Sequence, residues 1–313
     1  MADTPDLYCK SLPTMQRAWD AHSLSAAVCP RKYQYSVMMG LVHRKDILDS
    51  GIYYHSAQEA YQRALVRGAE FDVAVLAGIR KLLEVSSTYE DGGQWKPWAT
   101  SNRNRSRFAL VRAFVWYTEH YKNDTLKTEK LTDGSPAVEV SWRMPLPLMN
   151  PDGEPYLAVG YWDGVANYSE RIWPHEHKTT EGSLGDFYWK RFSPNTQTST
   201  YVLASRVCFP DREMGYGVLF DAVQLAVGFA RFQRKVVSRT LPQVEEWMKD
   251  MCQKIQRMEQ CARDGYWPKE EAACMMYGGC EYLDLCNKDP GIRDKYIEGM
   301  EKRPWNPLLI RGE

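Results

Sequence analysis

The sequence has no apolar run approaching the roughly 18 residues of a membrane-spanning helix. Its opening, MADTPDLYCK, has no apolar core of signal-peptide type. These absences lead us to expect a soluble, cytoplasmic protein with no membrane partner. Neither charge is in excess: 40 Lys and Arg face 40 Asp and Glu. That balance neither supports nor excludes nucleic acid, because binding depends on local patches. There is no internal repeat and no low-complexity tract, so wholesale disorder is not indicated. The eight cysteines include no C-x2–4-C pair, the usual mark of structural zinc. In a reducing compartment they would not form a disulfide framework. No G-x-x-x-x-G-K-[ST] run occurs, so the chain carries no P-loop motor of its own.

The 313 residues are 44% hydrophobic and hold 11 Trp and 19 Tyr, ample for a core in one elaborated domain or two closely joined ones. Residues 23–39 read as a helix that Pro30 breaks or kinks. Residues 51–68, 71–90 and 106–121 read as further helices, with 91–98 as a loop. The pattern then changes to alternation rich in Val and aromatics, which predicts strands over 137–146, 156–168 and 171–180. Residues 193–207 read as a helix capped by Ser193, with Pro194 at its first position. Strand character returns in GYGVLFDAVQLA and FARFQRKVVSRT, and 241–265 is a long amphipathic helix ending near Gly265. The tail reads as irregular. The order implies a mixed sheet inside helices rather than regular βαβ units.

Chemistry concentrates in IWPHEHKTT, residues 172–180. Side chains alternate along a strand, so Glu176 and Lys178 share one face, while His175 and His177 share the other. A zinc site on the two histidines is sterically possible, but H-E-x-x-H spacing is missing. Pro174 suggests an edge or bulged start to the strand. The preceding strand supplies Asp163 at hairpin distance. Two carboxylates and a lysine suit a hard divalent cation, Mg²⁺ or Mn²⁺, and a positioned water.

Gly160-x-x-Asp163 followed by Glu176-x-Lys178 resembles the PD-(D/E)XK nuclease superfamily, and its RecB-like exonuclease branch in particular. Gly51-x-x-x-His55 matches that branch's upstream histidine, and Gln197-x-x-x-Tyr201 its Q-x-x-x-Y motif. Glu139 matches a frequent acidic position. Cys29, with Cys274, Cys280 and Cys286 as C-x5-C-x5-C, is similar to the iron–sulfur staple of the AddB-type nuclease domain and of CRISPR-associated RecB-like exonucleases. Trp267-Pro268 matches a step before that triplet. Trp162 stands where the superfamily has Pro.

The resemblance implies an α/β, restriction-endonuclease-like mixed central sheet flanked by helices, with a helical N-terminal region. It implies an N-terminal extension over 1–22 and a nuclease domain over 23–290. That domain would hold a helical insertion at about 69–130 and a sheet core at about 136–240. An iron–sulfur region at 266–290 would join Cys29, and 291–313 would be a tail. His55, Asp163, Glu176 and the His177 carbonyl would hold Mg²⁺ or Mn²⁺. Lys178 would orient water, and Gln197 and Tyr201 would hold DNA. Four cysteines would hold a [4Fe–4S] cluster. The activity implied is exonuclease cleavage of single-stranded DNA ends in repair, recombination or phage- or CRISPR-type processing. The setting would be the cytoplasm of a bacterial or phage-infected cell, with a helicase or recombination protein as a possible partner. Two other readings stand beside it: a DNA-binding assembly subunit that keeps the fold for shape, and an electron-transfer protein using the cluster. The remaining Cys9, Cys208, Cys252 and Cys261 read as small hydrophobes. Basic clusters at Arg103, Arg105, Arg107 and Arg112, and at Arg231, Arg234, Lys235 and Arg239, are either phosphate contacts or solvated faces.

Overall fold

The structure is a computed structural model, and it describes residues 7–42, 46–90, 94–275, 279–303 and 306–308. A seven-stranded mixed sheet is built from β1 (Ala18–Trp19), β4 (Lys127–Thr128), β5 (Val138–Met149), β6 (Pro155–Tyr168), β7 (Arg171–Thr180), β8 (Gly217–Leu225) and β9 (Ala230–Ser238). Strands β5, β6 and β7 form an antiparallel meander. β7 then runs parallel to β8, and β9 returns antiparallel.

Two helical layers cover the sheet. On one face α7 (Thr196–Cys208) and α8 (Leu241–Asp264) pack with Trp162, Val218 and Phe220. The stacked rings of Trp19 and Tyr33, 5.0 Å apart, extend this core. On the other face lie α3 (Asp46–Val66), α4 (Phe71–Val85) and α5 (Arg107–His120), against Val223 and Leu225. The α3–α4 approach requires glycine at position 78. A Cβ there would stand 2.3 Å from the Phe114 ring and 2.9 Å from the Ala57 carbonyl.

Several boundaries differ from the sequence reading. Pro30 starts a second helix, α2 (Pro30–Tyr33), after α1 (Ala21–Ala26) has ended, as its fixed φ suits a first turn. The helix expected through residue 90 stops at Val85. Ser87–Glu90 (β2) then pairs with Gln94–Pro97 (β3) as a hairpin, so residues 94–97 are strand rather than loop. Residues 91–93 lie outside the described set. The cap of α7 is Asn195, whose side chain accepts from Thr198, rather than Ser193; such a cap contributes about 1 kcal/mol. A short helix α6 (Asp186–Lys190) went unread. The tail is helical in part: α9 (Glu271–Cys274), α10 (Leu283–Asn287) and α11 (Pro290–Glu298).

The two ends of the chain meet. The Arg31 N–H donates to the Pro268 carbonyl at 3.0 Å, and Arg31 Nε to the Trp267 carbonyl at 2.7 Å. The Tyr282 hydroxyl donates to the Leu41 carbonyl at 2.6 Å. Tyr35, Leu41, Tyr282, Leu285 and Cys286 form a small apolar core there. No helix of the described residues is long and apolar enough to cross a membrane.

Candidate active site

The candidate site lies where β6 loses a neighbour. One edge of β6 pairs with β5 from Leu157 to Gly164, with a register shift between Pro145 and Met149. Its other edge pairs with β1 at residues 157–158 and with β7 only from Gly164 onward. Between these ladders, residues 159–163 have an open edge. Asp163 fills the gap: its Oδ2 accepts the His177 N–H at 2.7 Å, taking the place of a ladder carbonyl. A residue's N–H and C=O leave a strand on the same edge, so the His177 carbonyl also faces this gap. The β7–β8 ladder begins at His175, the residue after Pro174.

The predicted residues converge here. His55, from α3, places Nδ1 3.3 Å from the Asp163 carboxylate. Lys178 Nζ donates to Glu176 Oε1 at 2.6 Å. Gln197, from α7, donates to the same oxygen at 2.9 Å and to the Tyr201 hydroxyl at 3.0 Å. Tyr201 in turn donates to the Tyr161 carbonyl at 2.5 Å. These bonds hold Gln197 and Tyr201 against the carboxylate and the open strand edge. Glu139 lines the same cleft and adopts φ 51°. That left-handed conformation is costly for a non-glycine residue, about 1–3 kcal/mol.

Electrostatics separates the groups. Burial alone would raise the Asp163 carboxyl, but the His55 imidazole and then His177 hold it well below the usual carboxylate range. Burial and the Asp163 charge push Glu176 up, against the pull of Lys178. Burial opposes the charge on Lys178, yet Glu176 raises its pKa. His55 is likewise raised, because Asp163 outweighs burial. Among these residues Glu176 Oε2 and His177 Nδ1 are buried without a hydrogen-bond partner, and only the first belongs to a carboxylate. An orphaned carboxylate oxygen is costly unless something absent from the protein atoms takes it. A cleft of about 550 Å³ is lined by His55, Asp163, the exposed Leu48 and Ile52, and Lys178, the partner of Glu176. The oxygen-rich donors fit a hard divalent cation.

A second polar group lies on the face of His175 and His177. His175 Nε2 stands 3.0 Å from Asp221 Oδ2. His175, His177 and Asp221 offer ligand atoms within 4.8 Å of one another and could bind a metal. Asp221 is already saturated, however. It accepts from Tyr117 at 2.6 Å and from Arg234 at 2.5 and 2.8 Å. Burial alone would raise its carboxyl, but His175 and Arg234 hold it far below the usual range. Burial and the neighbouring His175 push His177 down to about 3, so its ring is neutral. The sequence reading missed Asp221. Its signal was a lone acid in GVLFDAVQL, a strand buried at every position.

The four predicted cysteines come to the junction of the chain ends. Burial and then Cys29 and Cys280 raise the Cys274 thiol; burial and then Cys280 and Cys29 raise that of Cys286. They do not form a tight set, since no cysteine joins a group of ligand atoms within 4.8 Å among the described residues. The basic clusters are largely structural. Arg105 bonds Glu181 and Ser50. Arg107 donates to Ser86 and Ser87, and Arg112 to the carbonyls of Ala226 and Val227. Arg234 is paired with Asp124 and Asp221, Arg239 is buried, and Arg231 stands over the Phe229 ring.

No family model matches the chain, and no curated protein matches it. Among solved structures, a candidate exonuclease from Eubacterium rectale aligns at 11% identity with a TM-score of 0.49, covering 87% of this chain and 89% of that one. The protein SSO0001 aligns at 11% identity with a TM-score of 0.31, covering 85% of this chain and 94% of its own. Likenesses this distant leave the assignment to the site itself.

Proposed function

We propose that the protein is a divalent-metal-dependent DNA nuclease acting on single-stranded ends. The observation that supports this best is Glu176 Oε2, a buried, unpartnered carboxylate oxygen beside Asp163, His55 and Lys178. Asp163, Glu176, His55 and the His177 carbonyl would hold Mg²⁺ or Mn²⁺, which when bound would polarise the phosphodiester and acidify a water. Lys178 keeps its proton, held by Glu176, and would orient the attacking water and stabilise charge on the phosphate. Gln197 and Tyr201 brace Glu176 and face the strand edge where DNA would run. The exposed Leu48 and Ile52 give the cleft an apolar wall suited to unpaired bases.

Cys29, Cys274, Cys280 and Cys286 would take a [4Fe–4S] cluster. The mutual influence of Cys29, Cys274, Cys280 and Cys286 supports this, and their sequence spacing lacks the close pairs usual for structural zinc. The cluster would add metal–thiolate bonds to a junction already tied by Arg31 and Tyr282. A helicase or recombination protein is the natural partner for a chain without a P-loop.

The test is cleavage of 5′- and 3′-labelled single strands, circular DNA and duplex with Mn²⁺. The reading expects labelled linear single strands to be degraded by wild type and spared by Glu176→Gln. Equal degradation by both would end the catalytic assignment.

A further inference from the structure

A second pocket, of about 700 Å³, lies at the opposite end of β7 from the cleft. Trp173 and Tyr216 supply aromatic surface, with Leu241 beside them. The Trp173 ring is fixed from two sides. Its Nε1 donates to the Tyr168 carbonyl at 2.9 Å, and the ring lies so close to Gly215 that a Cβ there would meet it at 2.2 Å. Tyr216 is 40% exposed.

The pocket is also positive. Arg171 is exposed and Arg239 is 7% exposed, and both line it. Arg239 is held by its N–H to the Tyr216 carbonyl at 2.9 Å and by a terminal nitrogen to the Gln243 carbonyl at 3.3 Å. Its Nε is buried with no partner. Arg206 stands 4.3 Å from the Tyr216 ring centroid. The N-terminus of the 24-residue α8 opens on the same space, adding its positive dipole end. No carboxylate lines the pocket among the described residues.

Rigid aromatic faces beside two arginines, with no carboxylate among them, select a ligand that is planar at one end and anionic at the other. We propose that this pocket binds a nucleotide unit, with its base against Trp173 and Tyr216 and its phosphate on Arg171 and Arg239. The unit is either a free nucleotide or one residue of a single strand. This proposal stands independently of the cleavage reading, because binding here needs neither the metal nor Glu176.

The experiment is calorimetric titration of the full chain in EDTA with dAMP, a four-nucleotide dT strand and inorganic phosphate. The expected result is binding of dAMP or the strand at least about fivefold tighter than phosphate. Tyr216→Ala and Arg171→Ala should each weaken it at least about fivefold with the melting temperature retained. Binding of dAMP identifies a free-nucleotide site, and binding of the strand alone a strand site. Absence of binding by both nucleotide probes overturns the proposal. So does wild-type affinity in both variants, or a change confined to oligomeric state. Loss of cleavage in Glu176→Gln with intact titrations separates this pocket from the cleft.

Discussion

Two carboxylates sit on neighbouring strands, each beside a histidine and a cation, and they differ in one respect. Asp221 has every oxygen engaged, by Tyr117, His175 and Arg234. Glu176 has Oε1 engaged by Lys178 and Gln197 and Oε2 engaged by nothing. Both are buried. Residue type and burial do not separate the two carboxylates; completeness of their own hydrogen bonding does, although His177 Nδ1 beside Asp221 also lacks a partner. A saturated buried network fixes its neighbours, whereas an incomplete one beside a cleft is a place for a ligand.

The sharpest way to break this comparison is to remove one carboxylate at a time. Glu176→Gln should lower cleavage of a labelled single strand by about a thousandfold or more, since metal-assisted charge stabilisation contributes several kcal/mol at about 1.4 kcal/mol per tenfold. Its melting temperature should hold. Asp221→Ala should do the reverse. It leaves Arg234 with Asp124 as its remaining carboxylate and strips Tyr117 and His175 of theirs, which costs about 3 kcal/mol and should appear in denaturant titrations as a lower midpoint. If Asp221→Ala unfolds no more easily than wild type, the two sites are not the opposites described.

Ligand binding gives a smaller effect. In protein stripped with EDTA, saturating Mn²⁺ should raise the melting temperature by a few degrees, as expected for a ligand that binds only the folded state. Asp163→Asn should abolish the shift. A wild-type shift that survives in Asp163→Asn but is lost in His175→Gln would place the ion at the Asp221 group instead.

Much of this site was legible before the fold was known, for a physical reason. Strand alternation alone put Glu176 with Lys178, and i,i+4 spacing put Gln197 with Tyr201 on one helical face. Both pairs are in contact. What local pattern could not show was the break in the β6 ladder. That depends on where β1 ends and β7 begins to pair, which is a property of the sheet. The Asp221 network was invisible for a similar reason, since Tyr117, His175, Asp221 and Arg234 come from four elements. The basic clusters misled in the other direction: sequence shows a guanidinium but not the carbonyl or carboxylate it meets. The stop of α4 at Val85 was likewise set by the β2–β3 pairing rather than by a local breaker.

The smallest expected effect concerns Glu181, another carboxylate, which pairs with Arg105 of the cleft lining. It accepts from Asn102, Asn104 and Arg105, at 3.0, 2.9 and 2.7 Å. Burial alone would raise its carboxyl, but Asn104 and then Arg105 hold it below the usual range. A depressed folded-state value means that the unfolded chain binds the proton more readily. The stabilisation is therefore present above the ordinary glutamate value near 4.3. It is lost as pH falls through the lower folded-state value, so melting curves should show an acid limb below about pH 4. Glu181→Gln should flatten that limb and change stability at pH 7 by less than about 1 kcal/mol, because the side chain is 31% exposed and solvent screens the pair. Equal acid limbs in the two proteins would show that the Glu181 network, saturated like that of Asp221, contributes nothing once water reaches it. Burial would then join completeness as a condition for a carboxylate to hold the fold.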